Sequence, residues 1–150
     1  MPKLTALIHT RNDARRIGRA LESLRPCDEF VVVDHGSSDG TSQIARQYGA
    51  VVATPEGALT SIGHDWVLLL EPSEAISESL ESALYSWKQE EPAAPAFAVR
   101  IREETPGGWE LHPAETRLFR RSCLPSSSAE PTSAADAPLL EGDLLRFRRS

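Results

Sequence analysis

Residues 30–41 read Phe-Val-Val-Val-Asp-His-Gly-Ser-Ser-Asp-Gly-Thr, an unbroken apolar run that ends in a turn dense in small and hydrogen-bonding side chains. Apolar residues in succession, without polar alternation, suit a strand covered on both faces, as in a parallel sheet. The turn leads into a helix carrying Ile44, Ala45 and Tyr48, and Gly49 is placed to stop that helix in the left-handed conformation. Working back toward the N-terminus, Leu4 to His9 form a second buried run that polar Thr10, Arg11 and Asn12 end. Between the two runs, Ile17, Ala20, Leu21 and Leu24 stand at i, i+3, i+4 and i+7, with Arg15, Arg16, Arg19 and Glu22 on the other face. That spacing predicts an amphipathic helix with Asn12 or Asp13 capping its first turn and Pro26 just past its end. Strand, helix and strand make a β-α-β unit.

Working toward the C-terminus, Ala50–Ala53 and Trp66–Leu70 read as further strands, and Ser77 opens a helix with Leu80, Ala83, Leu84 and Trp87 on one face. Phe97, Val99 and Ile101 alternate with Arg100 and Arg102, the pattern of a half-exposed strand at the edge of a mixed sheet. From Ser122 to Pro138 the composition falls to Ser, Ala, Pro, Thr and acidic residues, with too little apolar surface to offset the entropy of ordering it. Three stretches are expected: a domain over 1–121, a disordered linker or loop over 122–138, and a short terminal strand or docking helix over 139–150.

The chain has 150 residues, and its 16 Lys+Arg against 22 Asp+Glu leave a formal charge of −6. An acidic chain argues against a general nucleic-acid binder, which needs clustered positive charge. The longest uncharged apolar stretch, Trp66–Leu70, falls far short of the ~20 residues that span a bilayer, so no transmembrane segment is expected. Arg11, Asn12 and Asp13 interrupt the first apolar run too early for a secretory signal, which makes the cytoplasm the expected compartment. Cys27 and Cys123 form no C-x-x-C and signal neither a disulfide framework nor a thiolate metal site.

In an open α/β sheet, ligands bind at the carboxyl ends of the strands, where Thr10–Asn12 and Asp34–Thr41 both fall. A carboxylate there can accept from a ribose hydroxyl or a base N–H, while Gly and Ser at a helix start offer backbone N–H groups to phosphate. Alternatively, Asp34, Ser37 and Asp39 only shape and cap a β-α turn. His9 and His35 sit at strand ends on the same rim but lack metal-ligand spacing, and read as ordinary polar loop positions. Arg100, Arg102, Arg117, Arg120 and Arg121 read as the solvated faces of edge strands.

Taken together, Thr10-Arg11-Asn12, Leu21-Glu22-Ser23 and Asp34-His35-Gly36-Ser37-Ser38-Asp39-Gly40-Thr41 resemble, in order and separation, the N-terminal half of family 2 glycosyltransferases, most of all the bacterial branch that builds lipopolysaccharide core and other cell-envelope glycans. The resemblance implies an α/β, Rossmann-like GT-A nucleotide-diphospho-sugar transferase fold, truncated, with a mostly parallel central sheet flanked by helices. It implies nucleotide contacts from Thr10, Asn12, Asp34, Ser37 and Asp39, a UDP-sugar donor, and a glycan or lipid-linked acceptor met in the cytoplasm or at the inner face of the membrane, with peripheral association there.

The resemblance continues, weakened, through Asp65-Trp66 to Glu71-Pro72-Ser73-Glu74, where family members read Asp-x-Asp followed by Glu. Two carboxylates one residue apart can hold Mg²⁺ or Mn²⁺ against a diphosphate; here Glu71 can supply one oxygen ligand and Ser73 replaces the second acid. Glu115-Thr116-Arg117-Leu118-Phe119-Arg120 resembles the family's acceptor-side strand, which makes Glu115 and His112 the candidate catalytic bases of an inverting transfer. Two functions follow: a glycosyltransferase, or a catalytically inactive GT-A-like nucleotide-binding module or partner subunit without the metal site and acceptor lobe.

Overall fold

The computed structural model describes residues 2–123 and 137–148. Among the described residues eight strands form one sheet, and their ranges are β1 Leu4–Thr10, β2 Glu29–Asp34, β3 Val51–Ala53, β4 Trp66–Leu70, β5 Glu74–Ile76, β6 Ala96–Thr105, β7 Gly108–Arg120 and β8 Leu139–Arg146. The helices are α1 Ile17–Glu22, α2 Thr41–Gln47, α3 Ala58–Ser61 and α4 Glu78–Lys88. Across the sheet the order is β3-β2-β1-β4-β7-β6-β8-β5. β3, β2, β1 and β4 run parallel, β7 is antiparallel to both β4 and β6, and β8 lies parallel to β6 and antiparallel to β5. The parallel half therefore carries the predicted β-α alternation, and the other half is a mixed extension.

Alternation along each strand divides the core between two faces. Leu4, Ala6, Ile8, Trp66, Leu68 and Leu70 pack with Ile17, Ala20 and Leu21 of α1 and with Leu80, Leu84 and Trp87 of α4. Leu7, Val31, Val33, Val67 and Leu69 point the other way, onto Ala58 and Ile62 at the short α3. Covering on both faces is what the continuous runs require. Trp66, Trp87 and Phe97 meet edge-on or tilted at 4.9–6.0 Å between ring centroids, which joins β4, α4 and β6 in one aromatic cluster. Ser77 caps α4 by accepting the Leu80 N–H at 3.2 Å, and Gly49 takes the positive φ of +85° expected after α2.

Several expectations are corrected. Neither Asn12 nor Asp13 is the N-cap of α1; that residue is Arg16, because the chain first makes a turn in which the Asp13 carbonyl accepts from the Arg16 and Ile17 N–H groups. The half-exposed strand around Phe97–Ile101 is one arm of a longer hairpin, β6 and β7, turning at Pro106-Gly107. Of the two alternatives open for the last residues, Leu139–Arg146 takes the strand, and it lies inside the sheet. The linker expected over 122–138 lies, apart from its ends, outside the described residues. Among the described residues, no helix is long and apolar enough to cross a membrane.

Candidate functional site

The site lies on the rim formed by the carboxyl ends of β1, β2 and β4. Parallel register sets Thr10 beside Asp34, so the two loops that follow leave the sheet side by side. Asn12 adopts a left-handed φ of +57°, which a short polar side chain tolerates and which turns its amide toward the neighbouring loop. Its backbone N–H donates to Ser37 Oγ at 2.9 Å, and its side-chain oxygen accepts from the Ser38 N–H at 2.8 Å. Asp39 accepts from the Ala14 N–H at 3.2 Å and from the hydroxyl and N–H of Thr41. Asp34 accepts from the Ser37 N–H at 2.9 Å and from the Ser42 hydroxyl. Thr10, Asn12, Asp34, Ser37 and Asp39 are thus brought together, as the motif reading expected. They also brace one another, as its bland alternative expected.

Electrostatics follows from these bonds. Partial burial pushes the Asp34 carboxyl upward, but hydrogen bonds from Ser42 and Ser37 outweigh it and leave Asp34 below the ordinary carboxylate value. The Thr41 hydroxyl is the largest influence on Asp39, which likewise lies below the ordinary value. Both stay anionic at the rim. His9 and His35 meet there as well, with Nδ1 of one and Nε2 of the other 2.8 Å apart, so one ring donates and the other accepts.

Sequence reasoning passed over the residue that holds this rim together. Asp13 is buried, and its carboxylate accepts from the Thr10 hydroxyl at 2.7 Å, from the Arg11 N–H at 3.1 Å and from the Arg16 guanidinium. Its own N–H donates to Thr41 Oγ1 at 3.0 Å, tying the first loop to the start of α2. In the sequence the signal is an Asp three residues after Thr10, a position that equally suits a helix cap.

At the end of β4, Glu71 is exposed, whereas Glu74 is fully buried and pairs with two arginines. Arg117 Nη1 and Nη2 donate to its two oxygens at 2.7 and 2.9 Å; Arg146 Nε and Nη2 donate to Glu74 Oε2 at 3.1 and 3.0 Å. Arg117 is therefore no solvated edge residue. Its burial opposes its charge, but the Glu74 hydrogen bond and the nearby Glu115 and Glu71 carboxylates more than compensate, holding its pKa above the ordinary value. Arg100, Arg102 and Arg120 are partly exposed, but they stand on β6 and β7 inside the sheet, not on edge strands, and pair with Asp143 and Asp65. Glu115 lies on this rim, accepting from Arg117 Nε at 3.1 Å, with Arg146 Nη2 at 3.4 Å. His112 stands further out on the hairpin, across from Ile101 and 3.2 Å from Glu103.

Glu71, Ser73 and Glu74 are a poor fit for a divalent cation. Both oxygens of Glu74 are taken by guanidinium groups, Ser73 brings no charge, and among the described residues no group of three or more His, Cys, Asp or Glu is placed to hold a metal.

No family model matches the chain. An uncharacterized glycosyltransferase of Rickettsia felis is 36% identical over 94 residues, covering 56% of this chain and 33% of that protein. A TPR repeat-containing protein of Synechococcus elongatus is 31% identical over 131 residues, 80% of this chain and 32% of that one. The lipopolysaccharide core biosynthesis glycosyltransferase LpsC of Rhizobium meliloti is 42% identical over 50 residues, 32% of this chain and 18% of its own length. The chain spans about a third of the length of the first two relatives. Among solved structures, S. aureus TarS 1-349 superposes with a TM-score of 0.59 at 20% identity, covering 80% of this chain and 47% of that one. Glucosyl-3-phosphoglycerate synthase from Mycobacterium tuberculosis, solved with Mn²⁺, UDP and glucosyl-3-phosphoglycerate, gives 0.50 at 16% identity, covering 71% and 45%.

The fold is that of the GT-A glycosyltransferases, with a mixed α/β sheet. The resemblance drawn from the motifs is borne out at that level, by relatives that carry the name glycosyltransferase and by structural neighbours with this fold.

Proposed function

We propose that this chain is the nucleotide-sugar-binding part of a family 2 glycosyltransferase that uses a UDP-sugar and serves a glycan or lipid-linked acceptor of the cell envelope, from the cytoplasm or the inner face of the membrane. The observation that carries the reading is the pair of loops after β1 and β2, cross-braced by Asn12, Asp13, Ser37 and Asp39 at the rim where a GT-A sheet presents its ligand face. Support comes from the name of LpsC and from the solved structure of TarS in complex with UDP, which matches with a TM-score of 0.53 at 24% identity over 70% of this chain and 37% of that one.

In this reading Asp34 and Asp39 receive the nucleoside, and Thr10 and Ser37 shape its floor. Of the two candidate bases, Glu115 is the one beside the end of β4, joined to that rim through Arg117 and Arg146. Its carboxylate takes the proton of the acceptor hydroxyl as the new bond forms at the anomeric carbon and the bond to the diphosphate breaks, with inversion. A second reading, a nucleotide-binding module without catalysis, is favoured by Ser73 standing where a second acid would be.

Calorimetric titration with UDP, ADP and GDP tests the common element of both readings. Saturable binding of UDP, weakened by about tenfold in Asp34→Asn as one charge-assisted contact is lost, is the expected result. Absence of binding to every nucleotide by a folded protein would sink both. Hydrolysis of a UDP-sugar then separates the enzyme from the silent module.

A further inference from the structure

A cleft of about 430 Å³ opens between the start of α1, the turn after β4, the tip of β6 and the end of β8. Arg16, Arg146 and Arg148 line it with Ser73, facing Glu103 and Glu104. We infer that the rim carries the counter-charge for its ligand in its own side chains: Arg146, with Arg16 and Arg148, holds the diphosphate of the nucleotide across Ser73, with no divalent cation between them. This inference rests on the nucleotide-binding reading above and concerns how that same site meets the phosphates.

Glu74 and Glu115 are two carboxylates bonded to two guanidinium groups, so Glu74, Glu115, Arg117 and Arg146 balance, and the charge of the cleft is set by its lining, where three arginines meet two glutamates. Arg117 is sealed in the core, donating also to the Leu69 carbonyl at 3.2 Å. Of these two arginines, Arg146, whose side chain is 22% exposed, is the one that reaches the cleft. Beyond Glu74, Arg146 Nη2 donates to Glu115 at 3.4 Å, and Glu71 and Glu103 lie at 3.9 and 3.8 Å, all three with partly exposed side chains. Exposed carboxylates at such distances contribute little and can swing away, and the planar guanidinium fork matches phosphate oxygens in pairs.

The segment that delivers these arginines is firmly placed. Arg146 pairs in register with Glu74 across β8 and β5, and the next N–H, of Phe147, donates to the Ser73 carbonyl at 2.8 Å. Phe147 lies under the Arg19 guanidinium, 3.7 Å from its ring centroid, and edge-on to Trp109 at 5.5 Å. The Arg148 N–H donates to Glu104 at 3.2 Å, and Glu103 lies 3.2 Å from His112 Nε2 and 3.8 Å from Arg146 Nη1. Arg16 links the cleft to the nucleoside loops, because it binds the same Asp13 carboxylate that receives the Thr10 hydroxyl. A nucleoside seated on those loops has the cleft beside it for its diphosphate.

The test compares UDP with uridine by calorimetry, in EDTA and then in Mn²⁺, for the native chain, Arg146→Met and Arg146→Lys. In EDTA the native chain should bind UDP at least about tenfold more tightly than uridine, the worth of one charge-assisted phosphate contact, and Mn²⁺ should change this by less than about twofold. Arg146→Met should erase the advantage of UDP while leaving uridine binding in place, and Arg146→Lys should keep part of it. UDP binding that requires Mn²⁺, equal affinity for UDP and uridine in EDTA, or a UDP advantage undiminished in both variants would overturn the inference and leave the nucleotide-binding reading standing. If neither ligand binds in any condition, both fall. The native-chain comparison needs no substitution, so the inference stays exposed to refutation even if Arg146→Met does not fold.

Discussion

At the scale of single residues, the rim is governed by carboxylates that accept more hydrogen bonds in the folded chain than water alone would preserve in fixed geometry. Asp34 and Asp39 both titrate below the ordinary Asp value of 3.8, through the Ser42, Ser37 and Thr41 contacts. A group whose folded pKa is depressed contributes stability that is fully present above its unfolded value and is lost as the pH falls through the folded one. Stability should therefore decline as the pH drops below about 4, and the decline should be shallower in Asp34→Asn/Asp39→Asn. Thermal unfolding measured from pH 6 down to pH 2.5 checks this; equal slopes in both proteins would show that these two carboxylates are not linked to folding. Much of this rim was legible from sequence, because residues 10–12 and 34–41 cluster polar groups at the ends of apolar runs. Asp13 was not, because its role depends on Thr41 and Arg16 converging on it, which no local spacing reveals.

At the scale of elements, the parallel strands were readable because both of their faces are covered, which forces continuous apolar runs such as Val31–Val33 and Val67–Leu70. β5 and β8 were not. β5 has three residues, one of them the charged Glu74, and β8 interrupts its leucines with Glu141, Gly142 and Asp143. The interruption has a cause: Gly142 has φ +94°, and a Cβ there would collide with the Leu80 backbone and lie 2.6 Å from the Ser79 carbonyl carbon. Asp143 completes the docking, its N–H donating to the Ser77 hydroxyl at 3.2 Å while its carbonyl accepts the Ser77 N–H at 3.2 Å. Gly142→Ala should therefore push α4 off β8 and cost about 2–3 kcal/mol or more, combining an unfavourable backbone conformation with overpacking. Urea denaturation gives the number, and a loss under about 0.5 kcal/mol would mean that α4 does not depend on this close approach. Arg117 escapes a sequence reading for the same reason as β5. A buried charge is visible in sequence only if its partner is, and Glu74 lies 43 residues away.

At the scale of the whole molecule, one sheet holds two halves with different logic: a parallel half that presents the nucleotide loops, and a mixed half that closes the rim with β7, β8 and their arginines. β8 contributes Leu144 to the core that also contains Ile101 and Leu80, and it is β5's hydrogen-bonding neighbour in the sheet. A chain ended after residue 138 should lose the cooperative urea transition of the intact chain, because β5 would have no strand to pair with and β6 would present a bare, partly apolar edge. Retention of a single sharp transition with unchanged midpoint would show that the fold does not depend on β8. The position of β8 also has a meaning for synthesis. The wall of the cleft needs Arg16 from one end of the chain and Arg146 from the other, so during translation the nucleotide loops emerge first and wait for more than a hundred residues before their opposite wall leaves the ribosome. A nascent chain stalled short of that point would display an open edge, a natural handle for chaperones.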